Sequence, residues 1–286
     1  MFPIRKAKLS LVKILEKTIS SKKLRILPRA IEFVGDIAII DIPIQLNQYR
    51  KDIGKAIIEK YVNVSTVLEK TGAITGPYRL RKLGFIYGEN KTTTIHKEFG
   101  CRFYVDLIRA YFSPRLAHEH NRIANQVKEA ETVIDMFAGV GPFSILIAKK
   151  QEKSRIFAID LNPHAFKLLN KNILLNKTQD RVFSFEGDAK RIIKKCLTAK
   201  ADRVIMNLPE NSKEFIEDGC AAIKPGGGII NYYCFVNQFN SLKNQKEYLK
   251  KAIEKTGRKI TKNPFTRLVR ATAPFEWQTV LDVKII

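Results

Sequence analysis

The sequence predicts an α/β protein in which a doubly wound sheet with an antiparallel edge strand follows a smaller α+β domain. Beyond residue 111, apolar segments recur with helical segments between them, which is the alternation of a parallel sheet. The first of these segments ends in a turn of small residues, AGVG (138–141). The last two are joined by a short connection, which predicts an antiparallel pair at the sheet edge.

The first part of the chain predicts a helix and then the smaller domain. Residues 5–19 alternate Lys with Leu and Ile at helical spacing, so we expect residues 1–23 to hold an N-terminal helix. Residues 24–110 predict the α+β domain. Its predicted elements are a strand at 33–43, a helix at 45–61, a strand at 64–71 and a run of short strands within 79–107.

Residues 111–286 predict the larger domain, whose strands are short, apolar and separated by helical segments. The predicted strands are TVIDMF (132–137), RIFAID (155–160), RVFSFEGD (181–188), RVIMNLP (203–209), GGGIINYYCF (226–235), TRLVRATA (266–273) and QTVLDVKI (278–285).

The charge of the chain is high and unevenly placed. The formal net charge is +23. Residues 1–31 carry nine Lys and Arg against the single acid Glu16, and residues 241–270 carry ten against Glu247 and Glu254. Blocks of one sign favour a polyanionic partner such as nucleic acid, although a uniformly basic surface would give similar totals.

Other patterns exclude several classes of protein. The chain has no run of eighteen apolar residues and no signal-peptide pattern, so we expect a cytoplasmic protein without membrane association. Four scattered cysteines without a CxxC pair argue against a zinc site and a disulfide framework. We therefore expect no metal, and a monomer.

The turn after the first parallel strand predicts a ligand site. Gly139 and Gly141 would allow the backbone to approach a ligand at the carboxyl end of the strand, next to a helix N-terminus. The dinucleotide fingerprint requires a third glycine where this chain has Ser144. A nicotinamide dinucleotide is therefore disfavoured.

Three successive strands end in a carboxylate, namely Asp135, Asp160 and Asp188. Asp160 is placed to bind ribose hydroxyls, and Asp188 to accept from an exocyclic adenine amine. Three acids oppose a pyrophosphate and suit a cationic sulfonium nucleoside. Each aspartate could instead cap the helix that follows it, and this alternative stays open for each of them.

The chain resembles the archaeal and eukaryotic tRNA (guanine37-N1)-methyltransferase family, which belongs to the class I S-adenosylmethionine-dependent methyltransferases with a Rossmann-like fold. The resemblance runs from about Leu24 to the C-terminus. It is carried by YFSPRLAHE (111–119), DMFAGVGPFSI (135–145), IDLNP (159–163), GD (187–188), IMNLP (205–209) and GPYRLRKLGFIYGENKTTTIHKEFG (76–100).

The resemblance implies an activity and a partner. The expected reaction is transfer of the methyl group of S-adenosylmethionine to N1 of guanosine 37 in the anticodon loop of tRNA, with residues 24–110 facing the RNA. The chain departs from the pattern in two places. It is expected to be a short member without the extra N-terminal domain of longer relatives, and its fourth motif reads NLPE, not NPPY.

The resemblance also implies catalytic roles. Glu119 aligns with the family's general base, although an acid in a first helical turn also suits the helix dipole. Arg79 aligns with the arginine that stabilises charge on O6, with Arg81 and Lys82 as rivals in the same segment. Asn207 is expected to orient the target base and to contribute to the cofactor site.

Further cofactor-binding residues follow from the same motifs. Tyr111 is expected to stack on base or cofactor, unless it is an ordinary core aromatic. Arg115 is expected to hold either Glu119 or a phosphate. The other cofactor-binding residues implied by the motifs are Phe137, Leu161 and Pro209.

Three other functions remain as alternatives. A wyosine-pathway aminocarboxypropyltransferase of the same fold is expected to carry an FSxGN-like segment where this chain has FSPRL (112–116), which favours methyl transfer. A bifunctional member would also methylate a wyosine precursor. A non-catalytic RNA-binding module would be expected to have lost Gly139, Gly141, Asp160 or Asp188, which are all present.

Overall fold

A computed structural model describes residues 10–286 and divides the chain into two compact units. The N-terminal unit runs to Lys97 and also includes Tyr104–Pro114. The C-terminal unit comprises Glu98–Phe103 and Arg115–Ile286. Residues 1–9 of the predicted N-terminal helix lie outside the described residues.

The N-terminal unit has a four-stranded sheet in the order β1-β2-β3-β4. β2 and β3 run parallel, and the other neighbours run antiparallel. Helix α3 connects the parallel pair. The elements are α1 (Leu11–Leu15), α2 (Ser21–Leu24), β1 (Ile31–Val34), β2 (Ile37–Ile40), a 3-10 helix (Ile44–Tyr49), α3 (Arg50–Lys60), β3 (Thr66–Lys70) and β4 (Leu83–Gly88). Strands β5 (Thr93–Glu98) and β6 (Cys101–Asp106) form a separate hairpin.

Two predicted elements of this unit were wrong in extent. The single strand predicted at 33–43 is a hairpin, because Gly35 has a left-handed φ of 55° and turns the chain between β1 and β2. A Cβ at Gly35 would also lie 2.1 Å from the Thr94 hydroxyl. The helix predicted to reach residue 19 ends at Leu15, and α2 is a separate turn of helix.

The C-terminal unit contains the predicted doubly wound sheet. Its strand order is β12-β13-β11-β10-β7-β8-β9. Strands β7 to β11 run parallel, β13 is antiparallel to β11, and β12 pairs antiparallel with β13 at the edge. The strands are β7 (Thr132–Asp135), β8 (Arg155–Asp160), β9 (Val182–Glu186), β10 (Arg203–Met206), β11 (Gly228–Val236), β12 (Phe265–Ala273) and β13 (Glu276–Ile285).

Helices connect these strands, and the sheet is buried between them. The helices are α4 (Ala117–Gln126), α5 (Pro142–Lys150), α6 (Pro163–Leu175), α7 (Ala189–Ile192), α8 (Ile216–Ala222) and α9 (Leu242–Lys255). The central strands read as continuous apolar runs, as strands covered on both faces do. Because β7, β8 and β10 run parallel, their carboxyl ends meet at one edge of the sheet, which is named the carboxyl edge below.

Candidate functional site

The glycine turn after β7 is shaped by two different requirements. Gly139 has a φ of 57°, and its N–H donates to Asp160 Oδ2 at 2.6 Å. Gly141, with a φ of 93°, precedes α5, and a Cβ there would lie 2.5 Å from the Leu169 side chain. Glycine at 141 is therefore required by the left-handed backbone and by helix packing. Gly139 is the residue whose backbone faces a strand-end carboxylate.

Two strand-end carboxyl groups are buried next to this turn. Asp135 is fully buried and accepts from the Ser144 hydroxyl at 2.8 Å. Burial raises the pKa of Asp135 to about 7, and the nearby Asp160 acts in the same direction. Burial also raises the pKa of Asp160 to about 6, although backbone N–H groups of Asn162 and Gly139 donate to it. Two neighbouring acids that are costly to ionise favour a ligand that brings positive charge or hydrogen-bond donors.

The residues around this pair fit such a ligand. Asp135 Oδ1 is buried and has no hydrogen-bond partner within residues 10–286, so an acceptor remains available. Asn162, not Asp160, caps α6, because the Asn162 side chain accepts from the His164 N–H. The helix-cap alternative therefore does not explain Asp160, and its carboxylate is available for the ribose contact predicted from the sequence.

The third strand-end acid behaves differently. Asp188 caps α7, and its Oδ1 accepts from the N–H groups of Lys190 at 2.7 Å and Arg191 at 3.3 Å. The capping alternative is thus the arrangement that the structure has at this position. Only Asp188 Oδ2 remains for an adenine amine.

The other predicted cofactor residues are divided between the two units. Phe137 packs edge-on against Phe215, with ring centroids 4.9 Å apart, and Pro209 is buried after β10. Leu161 is 47% exposed beside Asp160, where an apolar side chain could cover a bound nucleoside. Tyr111 belongs to the N-terminal unit.

Glu119 lies in the first turn of α4 and is buried. Its Oε1 accepts from Arg122 Nη2 and from the Tyr233 hydroxyl, both at 2.7 Å. Its Oε2 accepts from Arg122 Nε at 2.9 Å. The carboxylate is therefore fixed in one orientation. Because Oε2 accepts a single hydrogen bond within the described residues, it keeps a lone pair that can take a proton.

The partners of Glu119 belong to a larger polar network in the sheet. Arg122 also donates to Asp282 Oδ2 at 2.6 Å, and Asn231 donates to Asp282 Oδ1 at 2.6 Å. Burial raises the pKa of Tyr233 well above its usual value, and Glu119 adds to this effect. The Tyr233 hydroxyl therefore stays protonated and acts as a donor to Glu119.

Asn207 follows β10 and is oriented by a chain of hydrogen bonds. Arg270 Nε donates to Gln278 Oε1 at 2.8 Å, and Gln278 Nε2 donates to Asn207 Oδ1 at 2.8 Å. Since arginine can only donate, it fixes which end of the Gln278 amide faces Asn207. Asn207 must then accept, so its Nδ2 group remains as a donor for a ligand.

The candidate arginines have separate environments. Arg79 lies in a turn with a left-handed φ of 53°, and its guanidinium lies 5.1 Å from the centroid of the Tyr111 ring. Arg81, its rival, forms an ion pair with Glu32 at 2.9 Å, which gives it a structural role. Strained backbone at a long polar residue is typical of functional positions, which favours Arg79.

Of the two roles predicted for Arg115, holding Glu119 or holding a phosphate, the structure does not have the first. Arg115 donates to the backbone oxygen of Ala271 at 3.0 Å, and Glu119 is held by Arg122. The spacing of Glu119 and Arg122, three positions apart on one helix, could have identified this pair. The roles of Tyr233 and Gln278 could not be predicted from the sequence. Residues at alternate positions of two buried strands give no indication of which side chain reaches the site.

The described residues set limits on other chemistry. No helix within residues 10–286 is long and apolar enough to cross a membrane. The same residues contain no cluster of three His, Cys, Asp or Glu side chains that could hold a metal ion. All four cysteines are free thiols.

Two family models match the chain. The TRM5/TYW2 methyltransferase domain matches residues 94–261, and the TYW2 N-terminal domain matches residues 11–92. The chain is 43% identical over 261 residues to tRNA (guanine(37)-N(1))-methyltransferase Trm5b of Pyrococcus abyssi, covering 91% of this chain and 76% of the relative. It is 35% identical to tRNA 4-demethylwyosine(37)-methyltransferase Taw21 of Saccharolobus solfataricus, covering 90% and 94%.

Solved structures of similar proteins have the same fold. Trm5b from Pyrococcus abyssi aligns with a TM-score of 0.85 at 40% identity, covering 98% of this chain and 82% of that one. A complex of aTrm5 and tRNALeu aligns with a TM-score of 0.81 at 34% identity, covering 98% and 79%. TYW2 from Pyrococcus horikoshii in complex with MeSAdo aligns with a TM-score of 0.82 at 29% identity, covering 96% and 98%.

Proposed function

The chain belongs to the TRM5/TYW2 methyltransferase family and is an enzyme of that family, and we propose that it transfers the methyl group of S-adenosylmethionine to N1 of guanosine 37 in tRNA. The observation that carries the proposal is the buried Glu119 carboxylate, held by Arg122 and Tyr233 with a lone pair left on Oε2. N1 of guanine becomes nucleophilic only when its proton leaves, so this reaction requires a positioned base.

The strand-end acids support the choice of cofactor. S-adenosylmethionine supplies an activated methyl group on a positively charged sulfonium. Asp160 would hold the ribose hydroxyls, and the unpartnered Oδ1 of Asp135 would accept a donor or face the positive charge. Leu161 would cover the nucleoside with an apolar side chain, and Asp188 would accept from the adenine amine through Oδ2. Residues of these types at a glycine turn suit a sulfonium nucleoside better than a pyrophosphate.

The proposed base and the other polar groups have distinct roles. Glu119 takes the N1 proton through Oε2. Asn207, whose amide is oriented by Gln278, donates its Nδ2 hydrogens to an acceptor on the target base. Arg79 stabilises the negative charge that develops toward O6, which is the role its motif implies. Deprotonation without such a cation would be costly.

The basic segment 243–270 supports an RNA substrate. It includes five lysines of α9, a helix that begins at Leu242. Ser241 caps this helix by accepting from the Asn244 N–H, so the lysines are carried on a defined surface. We expect these cations, together with those of residues 1–31, to contact phosphates, and tRNA affinity to fall steeply with salt.

The experiment that tests the function uses tRNA transcripts with guanosine or uridine at position 37 and cofactor labelled on the methyl group. Label recovered as N1-methylguanosine from the guanosine transcript alone is the expected result. Methyl label in other nucleosides, or in neither transcript with cofactor bound, would contradict the proposal.

A second candidate is methylation of a wyosine precursor at the same position. The similarity to Taw21 and the match of residues 11–92 to a TYW2 N-terminal domain favour it. The same assay with tRNA bearing 4-demethylwyosine tests it, because methyl label in that nucleoside would show a second substrate. Transfer of label from side-chain-labelled cofactor would instead identify an aminocarboxypropyltransferase. A Pyrococcus horikoshii relative with that name is 31% identical, and the alignment covers 95% of each chain.

A further inference from the structure

Arg122, which holds the proposed base Glu119, is shared with a second carboxylate. Its Nε and Nη2 groups donate to Glu119. Its Nη1 group donates to Asp282 Oδ2 at 2.6 Å, and Nη2 also donates to Asp282 Oδ1 at 3.3 Å. The exposed fractions of the side chains are 11% for Arg122, 2% for Glu119 and 10% for Asp282. One guanidinium therefore lies between two carboxylates that are largely removed from water.

Neighbouring elements hold Asp282 in this position. Asn231 of β11 pairs directly with Asp282 of β13, and its Nδ2 group donates to Asp282 Oδ1 at 2.6 Å. Gln126, an exposed residue at the end of α4, donates to Asp282 Oδ2 at 3.2 Å. Tyr233, which lies two residues after Asn231 on the same face of β11, donates to Glu119. The same strand therefore fixes both carboxylates.

Neutralisation of Arg122 does not require Asp282. Burial acts to lower the pKa of Arg122, but its hydrogen bonds to Glu119 and Asp282 raise that pKa above the ordinary value, so the guanidinium stays charged. Glu119 alone supplies the one negative charge that balances it. A second buried carboxylate adds a desolvation cost, and buried ion pairs of this kind contribute little net stability. The presence of Asp282 therefore calls for another explanation.

The second carboxylate changes what proton transfer does to the local charge. The N1–H bond of guanine breaks, its electron pair stays on N1, and the proton bonds to Glu119 Oε2. With Arg122 and both carboxylates ionised, the three groups carry one positive and two negative charges, and the proton brings them to neutrality. Without Asp282, the same proton would leave an unbalanced positive charge in a buried site, which is costly.

Other titratable groups around the base do not duplicate this effect. Within the described residues, the groups that hydrogen-bond to the proposed base are Arg122 of α4 and the Tyr233 hydroxyl of β11, which stays protonated. His120, the next residue of α4, contacts Glu98 at 3.0 Å. Asp282 of β13 reaches the base through Arg122. A change in pH response caused by Asp282 can therefore be assigned to the shared guanidinium.

We propose that Asp282 is a positioning residue that acts through Arg122 to keep Glu119 able to accept the N1 proton. This inference rests on the proposed function, in which Glu119 is the base. An arginine paired with Glu119 alone would stabilise the carboxylate and make it a weaker base. By sharing the guanidinium, Asp282 lets Arg122 orient Glu119 without holding it in the ionised form.

The test is the pH dependence of single-turnover methylation with saturating tRNA and S-adenosylmethionine. Asp282→Asn keeps the shape of the side chain and removes its charge, so Glu119 should ionise more readily. The midpoint of the rising limb of the rate–pH profile should move about one pH unit lower. The plateau rate should fall roughly three- to tenfold, because a weaker base transfers the proton more slowly. Damage to the structure alone would instead lower the rate by the same factor at every pH, and an unmoved midpoint would overturn the proposal.

Three further variants separate the charge of Asp282 from its packing. Asp282→Glu keeps the charge and should keep the wild-type midpoint, even with a lower Tm. Gln126→Lys places a cation beside Asp282 at an exposed position, so the midpoint should move lower by about 0.3 pH unit at low salt. Gln126→Ala removes the same hydrogen bond without adding a charge and should leave the midpoint unmoved. The two Gln126 variants decide the question if Asp282→Asn does not fold.

The outcomes distinguish this inference from the function on which it rests. An active wild-type chain, together with unmoved midpoints in Asp282→Asn and Gln126→Lys, would overturn the role of Asp282 and leave the proposed function intact. A wild-type chain that methylates neither the guanosine transcript nor tRNA bearing 4-demethylwyosine would overturn the proposed function, and this inference with it.

Discussion

The two sides of the carboxyl edge are built by contacts of different range. Beside β7 and β8, the acids are held by residues close in sequence, such as Ser144 with Asp135 and Gly139 with Asp160. Beside β10, β11 and β13, Tyr233 holds Glu119 across 114 positions, and Gln278 holds Asn207 across 71. The proposed cofactor side is thus built by contacts that are close in sequence, whereas the proposed acceptor side also needs contacts that form only when the sheet has formed.

Because of this difference, we expect substitutions on the two sides to change different kinetic and binding quantities. A change beside β7 or β8 should alter cofactor affinity, because those acids face the glycine turn. A change in the Glu119 or Asn207 contacts should lower turnover while cofactor affinity stays the same. Any variant that affects both quantities equally would break the distinction.

The largest effect is expected for the proposed base. Glu119→Gln should lower kcat by roughly 100-fold or more, since an amide cannot accept the N1 proton. Glu119→Ala should lower it similarly, and both should keep S-adenosylmethionine affinity in equilibrium binding. Turnover measured with saturating tRNA and cofactor checks this. Turnover close to wild type would show that another group or water is the base.

The matched control is another buried ion pair of the same sheet. Glu131 accepts from the fully buried Arg203 at 3.0 Å. Glu131 precedes β7, so this ion pair lies at the end of the sheet opposite the carboxyl edge. Glu131→Gln should lower the Tm, since it removes the negative charge that faces the buried Arg203 guanidinium. It should leave kcat near the wild-type value. Loss of turnover in this control would mean that stability, and not proton transfer, explains the Glu119 variants.

Most of the fold was predictable because it follows from local patterns. Apolar segments with helices between them predicted the parallel sheet, and two strands without a helix predicted its antiparallel pair. The hairpin of β1 and β2 was missed because only two residues, Gly35 and Asp36, separate apolar segments that otherwise resemble one continuous strand. Its turn depends on a left-handed φ that the residue pattern does not show.

The site was predictable only in part, because only some of its residues follow from local sequence patterns. Strand ends and a glycine turn indicated Asp135 and Asp160 without knowledge of the fold. Arg122 contacts Glu119 at helical spacing, but the other donors, Tyr233 to Glu119 and Gln278 to Asn207, are ordinary strand positions in sequence. Only the register of β11 and β13 brings them to the carboxyl edge.

An intermediate effect is expected for the residue that orients Asn207. Gln278→Glu offers only acceptor oxygens, so Asn207 must turn its Nδ2 inward and present Oδ1 to the ligand. The kcat should fall roughly tenfold, which is the scale of one hydrogen bond lost or reversed. Cofactor affinity and Tm should change little, because Arg270 can pair with the new carboxylate.

A double-mutant cycle decides whether Gln278 acts through Asn207. In an Asn207→Ala background, Gln278→Glu should cause no additional loss of kcat. Gln245→Met serves as a control, since Gln245 is a buried glutamine that donates to the Phe235 carbonyl oxygen. Additive losses in the cycle would mean that Gln278 supports the structure of β13 and does not position Asn207.

The smallest effect concerns pH and belongs to the cofactor side. Burial raises the pKa of Asp160 to about 6, so its carboxylate becomes protonated as the pH falls through that value. A raised carboxyl pKa stabilises the folded protein at low pH, and this contribution is lost as the pH rises from about 4 through 6. Cofactor binding needs the ionised form and has the opposite dependence. S-adenosylmethionine affinity should therefore be about fourfold weaker at pH 5.5 than at pH 7.5.

Two aspartate variants make this pH dependence specific. Asp160→Asn should bind the cofactor weakly and should lose the part of the pH dependence that Asp160 causes. Asp36→Asn should keep the wild-type pH dependence. Burial of Asp36 acts to raise its pKa, but hydrogen bonds from Lys91, Thr94 and Ser65 lower that pKa to about 2, which is below the tested range. Calorimetric titration at both pH values measures the difference. An equal pH dependence in Asp160→Asn and wild type would assign the titration to Asp135, whose pKa burial raises to about 7.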